Sequence, residues 1–141
     1  MRTSLSAPEI AARLRLSATR LARRLRQESN AGLSPSQQSA LAVIANHGPL
    51  TLGTLADHER VAPPTITKVV SKLECDGLVT RTPDPADRRV CRVAISAAGD
   101  ALLEESRRRK TAWLTARISQ LDADRQRRLA DALDVLDELI S

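Results

Sequence analysis

The chain has 141 residues, enough for one domain with a single sizeable core, and its 42% hydrophobic and 28% charged content fits a soluble globular fold, not a disordered chain. One Trp, no Tyr and no Phe argue against a surface that reads single-stranded nucleic acid by stacking bases on rings. A formal charge of +5, carried almost wholly by Arg, favours a polyanionic partner.

Residues 7–27 predict a first helix. Ile10, Leu14, Ala18, Leu21 and Leu25 recur at spacings of four, four, three and four, a stripe close to a heptad seam. Arg13, Arg15, Arg20, Arg23, Arg24 and Arg26 cover the other faces and read first as a solvated basic surface. Asn30-Ala31-Gly32 ends the helix. Ser34, with Pro35 at the first helical position and Gln37 three residues on, is a capping box opening a second helix. Leu41 and Ile44 face inward there, and Gly48-Pro49 stops it.

A short helix over about residues 51–59 uses Leu52, Leu55 and Ala56. After the break at Val61-Ala62-Pro63-Pro64, another runs to about residue 76. Its Ile66, Val69, Val70 and Leu73 recur at i, i+3, i+4 and i+7, and Gly77 closes it. Two helices joined by so tight a turn predict a helix-turn-helix. Leu78-Val79-Thr80-Arg81-Thr82, a Pro/Asp turn, and the alternation of inward Cys91, Val93 and Ile95 with Arg92 and Ala94 predict a hairpin with a protruding loop. Residues 96–121 form a long helix with Leu102, Leu103, Ser106, Trp113, Leu114, Ile118 and Leu121 inside. Asp122 caps a last helix, striped by Leu129, Leu133, Leu136 and Ile140.

The outer face of the 64–76 helix carries Thr65, Lys68, Ser71 and Lys72, with no carboxylate before Glu74 and Asp76. Short hydroxyls and long cations suit a duplex groove, where they reach phosphates and base edges. At the hairpin tip Arg88 and Arg89 suit the negative potential of a narrow minor groove. Asp84 and Asp87 read as wing-structuring residues. They form turns and hold one of the two Arg side chains while the other touches DNA.

The run Leu78-Val79-Thr80-Arg81-Thr82-Pro83-Asp84-Pro85-Ala86-Asp87-Arg88-Arg89, followed by Val93-Ala94-Ile95-Ser96 and Gly99, resembles the wing signature of MarR-family transcriptional regulators. Leu73-Glu74, then Gly77-Leu78, is similar to the end of that family's recognition helix, and the helix order matches over almost the whole chain. The resemblance implies a mainly α fold with a small β-hairpin wing, forming one MarR-type domain over residues 1–141. Residues 34–96 would make the winged helix-turn-helix lobe, and residues 7–30 and 97–141 the helical dimerisation part. It assigns Pro64, Thr65, Lys68 and Ser71 to the recognition helix, Arg88 and Arg89 to the wing, and Ser34 and Gln37 to phosphate contacts. Val-Ala-Ile-Ser departs mildly from the family's Leu-x-Leu-Thr. The near absence of aromatic residues departs more, since many relatives hold aromatic effectors.

The resemblance also implies an obligate homodimer, and the stripes argue for one independently. Leu14, Leu21, Leu25, Leu129, Leu133, Leu136 and Ile140 would stay partly exposed in a monomer, each worth about 1.5–3 kcal/mol when covered. Two-fold symmetry would set the recognition helices about 34–36 Å apart, matched to an inverted-repeat operator. The expected function is therefore a homodimeric repressor of double-stranded DNA, released by a small-molecule effector. The competing readings are a winged-helix module that docks an acidic protein, and an enzyme. No nucleophile–base pair, paired carboxylates or Gly-rich phosphate loop supports the last.

Cys75 and Cys91 lack CxxC spacing and a neighbouring His, so neither metal nor cofactor is expected. They read as packing residues before redox sensors, His47 and His58 as polar helix-end groups, and Trp113 as an inward packing residue. No run is apolar enough for a membrane span, and no signal-peptide core opens the chain. A cytoplasmic protein with no membrane partner is expected.

Overall fold

A computed structural model describes residues 4–29 and 32–141. The expected helix end at Asn30 and Ala31 lies outside the described residues. Gly32, just beyond, adopts φ +72, a conformation that favours glycine. In chain order the elements are α1 (Ala7–Ser29), α2 (Pro35–His47), β1 (Leu50–Thr51), α3 (Leu52–Glu59), α4 (Pro63–Cys75), β2 (Val79–Pro83), β3 (Cys91–Ile95), α5 (Ala97–Ser119) and α6 (Ala123–Ile140). They fall into two compact units, residues 29–107 and residues 1–28 with 108–141, so α5 contributes to both.

The first unit is a winged-helix lobe. Ser34 caps α2 as its pattern predicts. Its Oγ accepts from the Gln37 amide at 3.2 Å, and Gln37 Oε1 accepts from the Ser34 amide at 3.1 Å. Thr51 caps α3, accepting from the Thr54 amide at 3.1 Å. Arg60 then turns the chain in the left-handed region (φ 55), and Val61 donates its amide back to the Ala56 carbonyl. Ala62 leads into α4, whose first turn is fixed by Pro63 and Pro64.

The three strands lie in the order β1-β3-β2, all antiparallel, with Leu50 opposite Val93 and Val79 opposite Ile95. Two-residue β1 is too short to give a periodic signal and was not predicted. The core unites Leu41 and Ile44 of α2, Leu55 of α3, Ile66, Val70 and Leu73 of α4, and Val79 and Val93 of the sheet. One inward assignment fails: Cys91 is exposed. It pairs with Pro83 at the end of the ladder, where the hairpin extends past the core and neither face is covered.

Gly99 fixes the start of α5. A Cβ there would fall on the Leu78 carbonyl oxygen and lie 2.7 Å from Ile95 Cγ1. Ser96 Oγ donates to the Gly77 carbonyl at 2.6 Å and accepts from the Gly99 amide at 3.1 Å. The long helix therefore leaves the lobe from a fixed point beside the α4–β2 connection.

The second unit contains α1, the rest of α5 and α6. Asp122 caps α6 through the Arg125 amide at 2.8 Å. The Arg24 and Arg117 guanidinium groups lie over the Trp113 ring, 5.3 and 5.1 Å from its centroid. Among the described residues none in this unit is buried. Ile10, Leu21, Leu129, Leu133, Leu139 and Ile140 are exposed, while Leu14, Leu25 and Leu136 are half-buried. An apolar groove of about 440 Å³ runs along Ala7, Ile10, Ala11, Leu14 and Ala18 of α1 with Leu139 of α6 and Arg15. Among the described residues no helix is long and apolar enough to cross a membrane.

Candidate nucleic-acid interface

Helix α4 has two unlike faces. Ile66, Val70 and Leu73 are buried, which leaves Pro64, Thr65, Lys68, Ser71 and Lys72 exposed on the opposite side. Thr67 is exposed as well, but its hydroxyl donates to the Pro63 carbonyl at 3.0 Å and so braces the first turn. Lys72 pairs with Asp76 at 3.2 Å, whereas Lys68 has no ion pair among the described residues.

Arg81 ties this helix to the wing. From β2 it donates Nη2 to Ser71 Oγ at 3.1 Å and brings Nε to 3.3 Å from Glu74 Oε2, with no aligned hydrogen bond from that nitrogen. Ser71 thus accepts from the wing and keeps its own proton for donation. Only strand register could reveal this contact, and the sequence pattern gave Arg81 no role.

The wing loop, residues 84–90, is closed by Asp84 donating its amide to the Val90 carbonyl at 2.8 Å and Val90 donating to Asp87 at 3.0 Å. Asp84 Oδ1 accepts from the Ala86 amide at 2.8 Å, and Oδ2 accepts from Arg92 Nε at 2.9 Å. Asp87 Oδ1 accepts from the Arg89 amide at 3.0 Å and from Arg89 Nε at 3.2 Å. Arg89 is therefore the tip arginine held internally. Arg88 is exposed, with no ion pair among the described residues. The expectation that Asp84 serves a tip arginine fails, because the hairpin register sets Arg92 beside it.

These contacts lower both carboxyl pKa values. For Asp84 the cause is first the Ala86 amide and then Arg92. For Asp87 it is first the Arg89 guanidinium and then the Arg89 amide. A depressed folded pKa stabilises above the unfolded value, about 3.9 for Asp, and the benefit fades as pH falls through the folded value. Protection of the Ala86 and Arg89 amides against hydrogen exchange should thus hold down to about pH 4 and fall only below it. Loss of protection already between about pH 7 and pH 5, after correction for intrinsic exchange, contradicts this account of the wing.

Ser34 and Gln37 sit at the start of α2, each already engaged in the capping box. His47 and His58, read singly from the sequence, stack on one another with ring centroids 4.7 Å apart. Among the described residues no cluster of three His, Cys, Asp or Glu side chains is placed to hold a metal. The charge of the chain is also unevenly divided. Residues 29–107 hold 8 Lys and Arg against 9 Asp and Glu, a formal −1, whereas residues 1–28 and 108–141 hold 14 against 8, a formal +6. The overall positive charge thus belongs to the helical unit, and any anion affinity of the lobe rests on individually placed side chains.

A three-helix lobe with a β-hairpin beside an outward-facing α4 defines the winged helix-turn-helix class. Comparison with known proteins identifies the family. The MarR family model matches residues 33–91. The HTH-type transcriptional regulator ML2140 of Mycobacterium leprae is 41% identical over 132 residues, covering 93% of this chain and 92% of that one. The HTH-type transcriptional repressor MdtR of Bacillus subtilis is 34% identical over 74 residues, 52% of this chain and 48% of that one. Among solved structures, a MarR family protein from Bacillus stearothermophilus superposes with TM-score 0.77 at 25% identity, covering 97% of this chain and 99% of that one. The chain belongs to the MarR family of transcriptional regulators.

Proposed function

We propose that the chain is a homodimeric repressor that grips an inverted repeat in double-stranded DNA and lets go when a small molecule binds. Within each lobe, Pro64, Thr65, Lys68, Ser71 and Lys72 of α4 face the major groove. Arg88 enters the adjacent minor groove, and the capped start of α2 at Ser34 and Gln37 meets a phosphate. Arg89, already tied to Asp87, shapes the wing more than it binds. The observation that carries this reading is the pairing of an exposed α4 surface, free of carboxylates before Glu74, with a wing whose Arg88 has no counter-ion among the described residues.

The dimer reading rests on the helical unit, in which no described residue is buried although α1 and α6 carry long apolar stripes. A second copy laid along Leu14, Leu21, Leu25, Leu129, Leu133, Leu136 and Ile140 removes that surface from water. Dimer formation and DNA binding are properties of the family, and MdtR, similar over half the chain, carries the name of a repressor. An effector that favours a lobe spacing mismatched to successive grooves lowers DNA affinity by population shift. Such a protein works in the cytoplasm, beside the chromosome.

Selection of bound duplexes from a random pool tests this. The expected product is an inverted repeat with half-site centres about one helical turn apart, and Lys68→Ala should blur the preferred bases within each half. Salt-sensitive binding without any preferred sequence would instead favour a module that docks an acidic protein.

A further inference from the structure

The helical unit carries two blocks of opposite charge that leave each other unpaired. α1 holds six Arg against Glu9 and Glu28. Arg24 pairs with Glu28 at 2.9 Å, but Arg13, Arg20 and Arg23 form no ion pair among the described residues. The second half of α6 is the reverse. From Leu129 to Ile140 it carries Asp131, Asp134, Asp137 and Glu138 and no basic residue, and none of the four carboxylates has an ion pair among the described residues. The basic residues of α6, Arg125, Arg127 and Arg128, sit in its opening turns.

This arrangement opposes the helix dipole. Carboxylates belong near a helix N-terminus, and the last turn of α6 holds Asp137 and Glu138 with no compensating cation. Helical geometry places both blocks beside the apolar stripes. At 100° per residue, Arg13 and Arg20 flank one edge of the stripe that runs through Leu14 and Leu21, while Asp134 and Asp137 flank one edge of the stripe that runs through Leu133 and Ile140.

We infer that in the dimer proposed above, on which this rests, the acidic second half of α6 lies along the arginine edge of α1 of the partner subunit, so that the seam is ionic as well as apolar. Two-fold symmetry makes this contact twice. Arg13 and Arg20 meet Asp134 and Asp137 of the partner subunit along the edge of the stripe that Leu14 and Leu21 mark. The ionic borders fix which helices pair and in which direction, as flanking charges do in coiled coils, while the apolar stripe supplies the bulk of the attraction.

The test compares the dimer dissociation constant, by sedimentation, for the unaltered chain, Arg13→Glu/Arg20→Glu, Asp134→Arg/Asp137→Arg and the fourfold exchange. All four residues are exposed in the single chain, and circular dichroism reports whether each variant keeps its helices. Each double variant should weaken association at least about tenfold, and the exchange should return it to within about threefold of the parent. The unaltered dimer should itself loosen roughly tenfold between about 0.1 and 1 M salt, where screening shortens from about 10 to 3 Å. An exchange that fails to restore association, or salt that leaves the unaltered dimer unchanged or tightens it, overturns the ionic seam while leaving the dimer in place. Double variants that keep the parent's association but lose duplex affinity would assign the arginines to DNA and equally overturn it. A parent that sediments as single chains overturns the dimer reading itself.

Discussion

Replacing Leu21 or Leu133 by Asp is expected to turn the dimer into single chains and to abolish tight operator binding. In one chain both side chains are exposed, at 43% and 52%, so a carboxylate there meets water and disturbs no packing. The penalty arises only where a second copy covers the position. Covering the exposed half of one leucine is worth about 0.7–1.5 kcal/mol, half the value for full burial, and two-fold symmetry counts each change twice. The dimer dissociation constant should therefore rise roughly 10- to 100-fold, before the added penalty of burying a charge. Thermal unfolding of the lobe should barely move, because its core draws on α2, α3, α4, the sheet and the start of α5 (Leu102 and Leu103), and on no residue of α1 or α6. Single chains reach one half-site at a time and lose the effective concentration, about millimolar, that linkage gives the second lobe. Sedimentation and duplex titration on the same samples measure both effects. A Leu133→Asp protein that stays dimeric would remove α6 from the interface.

Arg88→Ala and Arg89→Ala should differ, although the residues are neighbours. Arg89 spends its guanidinium and its amide on Asp87, whereas Arg88 has no ion pair among the described residues. Loss of Arg88 removes one cation from each of two wings. The log–log salt slope of duplex binding should fall by about 2 per dimer, and affinity should drop roughly 10- to 100-fold at moderate salt. Loss of Arg89 should cost only a few-fold at equal salt, with a slope close to the parent's, its main effect being a looser loop. Equal losses in the two variants, or a larger one for Arg89, would reverse the roles given to the tip.

Local pattern foretold most of the lobe because its signals are local. The Ser34–Gln37 capping box, the prolines before α4 and the inner face of Ile66, Val70 and Leu73 each lie within one or two helical turns. What escaped depends on register or on distant pairs. β1 is two residues long and exists only because β3 offers it an edge. Cys91 has the parity of an inward residue, yet parity cannot tell where along a hairpin the core ends. The Arg92–Asp84 and Arg81–Ser71 contacts join residues eight and ten apart across a turn, and the His47–His58 stack joins the ends of two helices. Net charge carried no information on place. The +5 of the chain resides in the helical unit, and the lobe relies on placement instead of sum.

Tight binding to an inverted repeat requires two α4 helices held at a fixed separation by a pair of chains. Once selection has supplied the half-site, binding is measured on the inverted repeat and on the same repeat with about 5 base pairs, half a helical turn, inserted at its centre. The insertion turns one half-site to the far side of the duplex. Affinity should fall at least about 10²-fold, to the level of a single half-site, and return in part when about 10 base pairs are inserted. Equal affinity for all three duplexes would mean that the chains bind independently, and the paired-lobe account would be wrong.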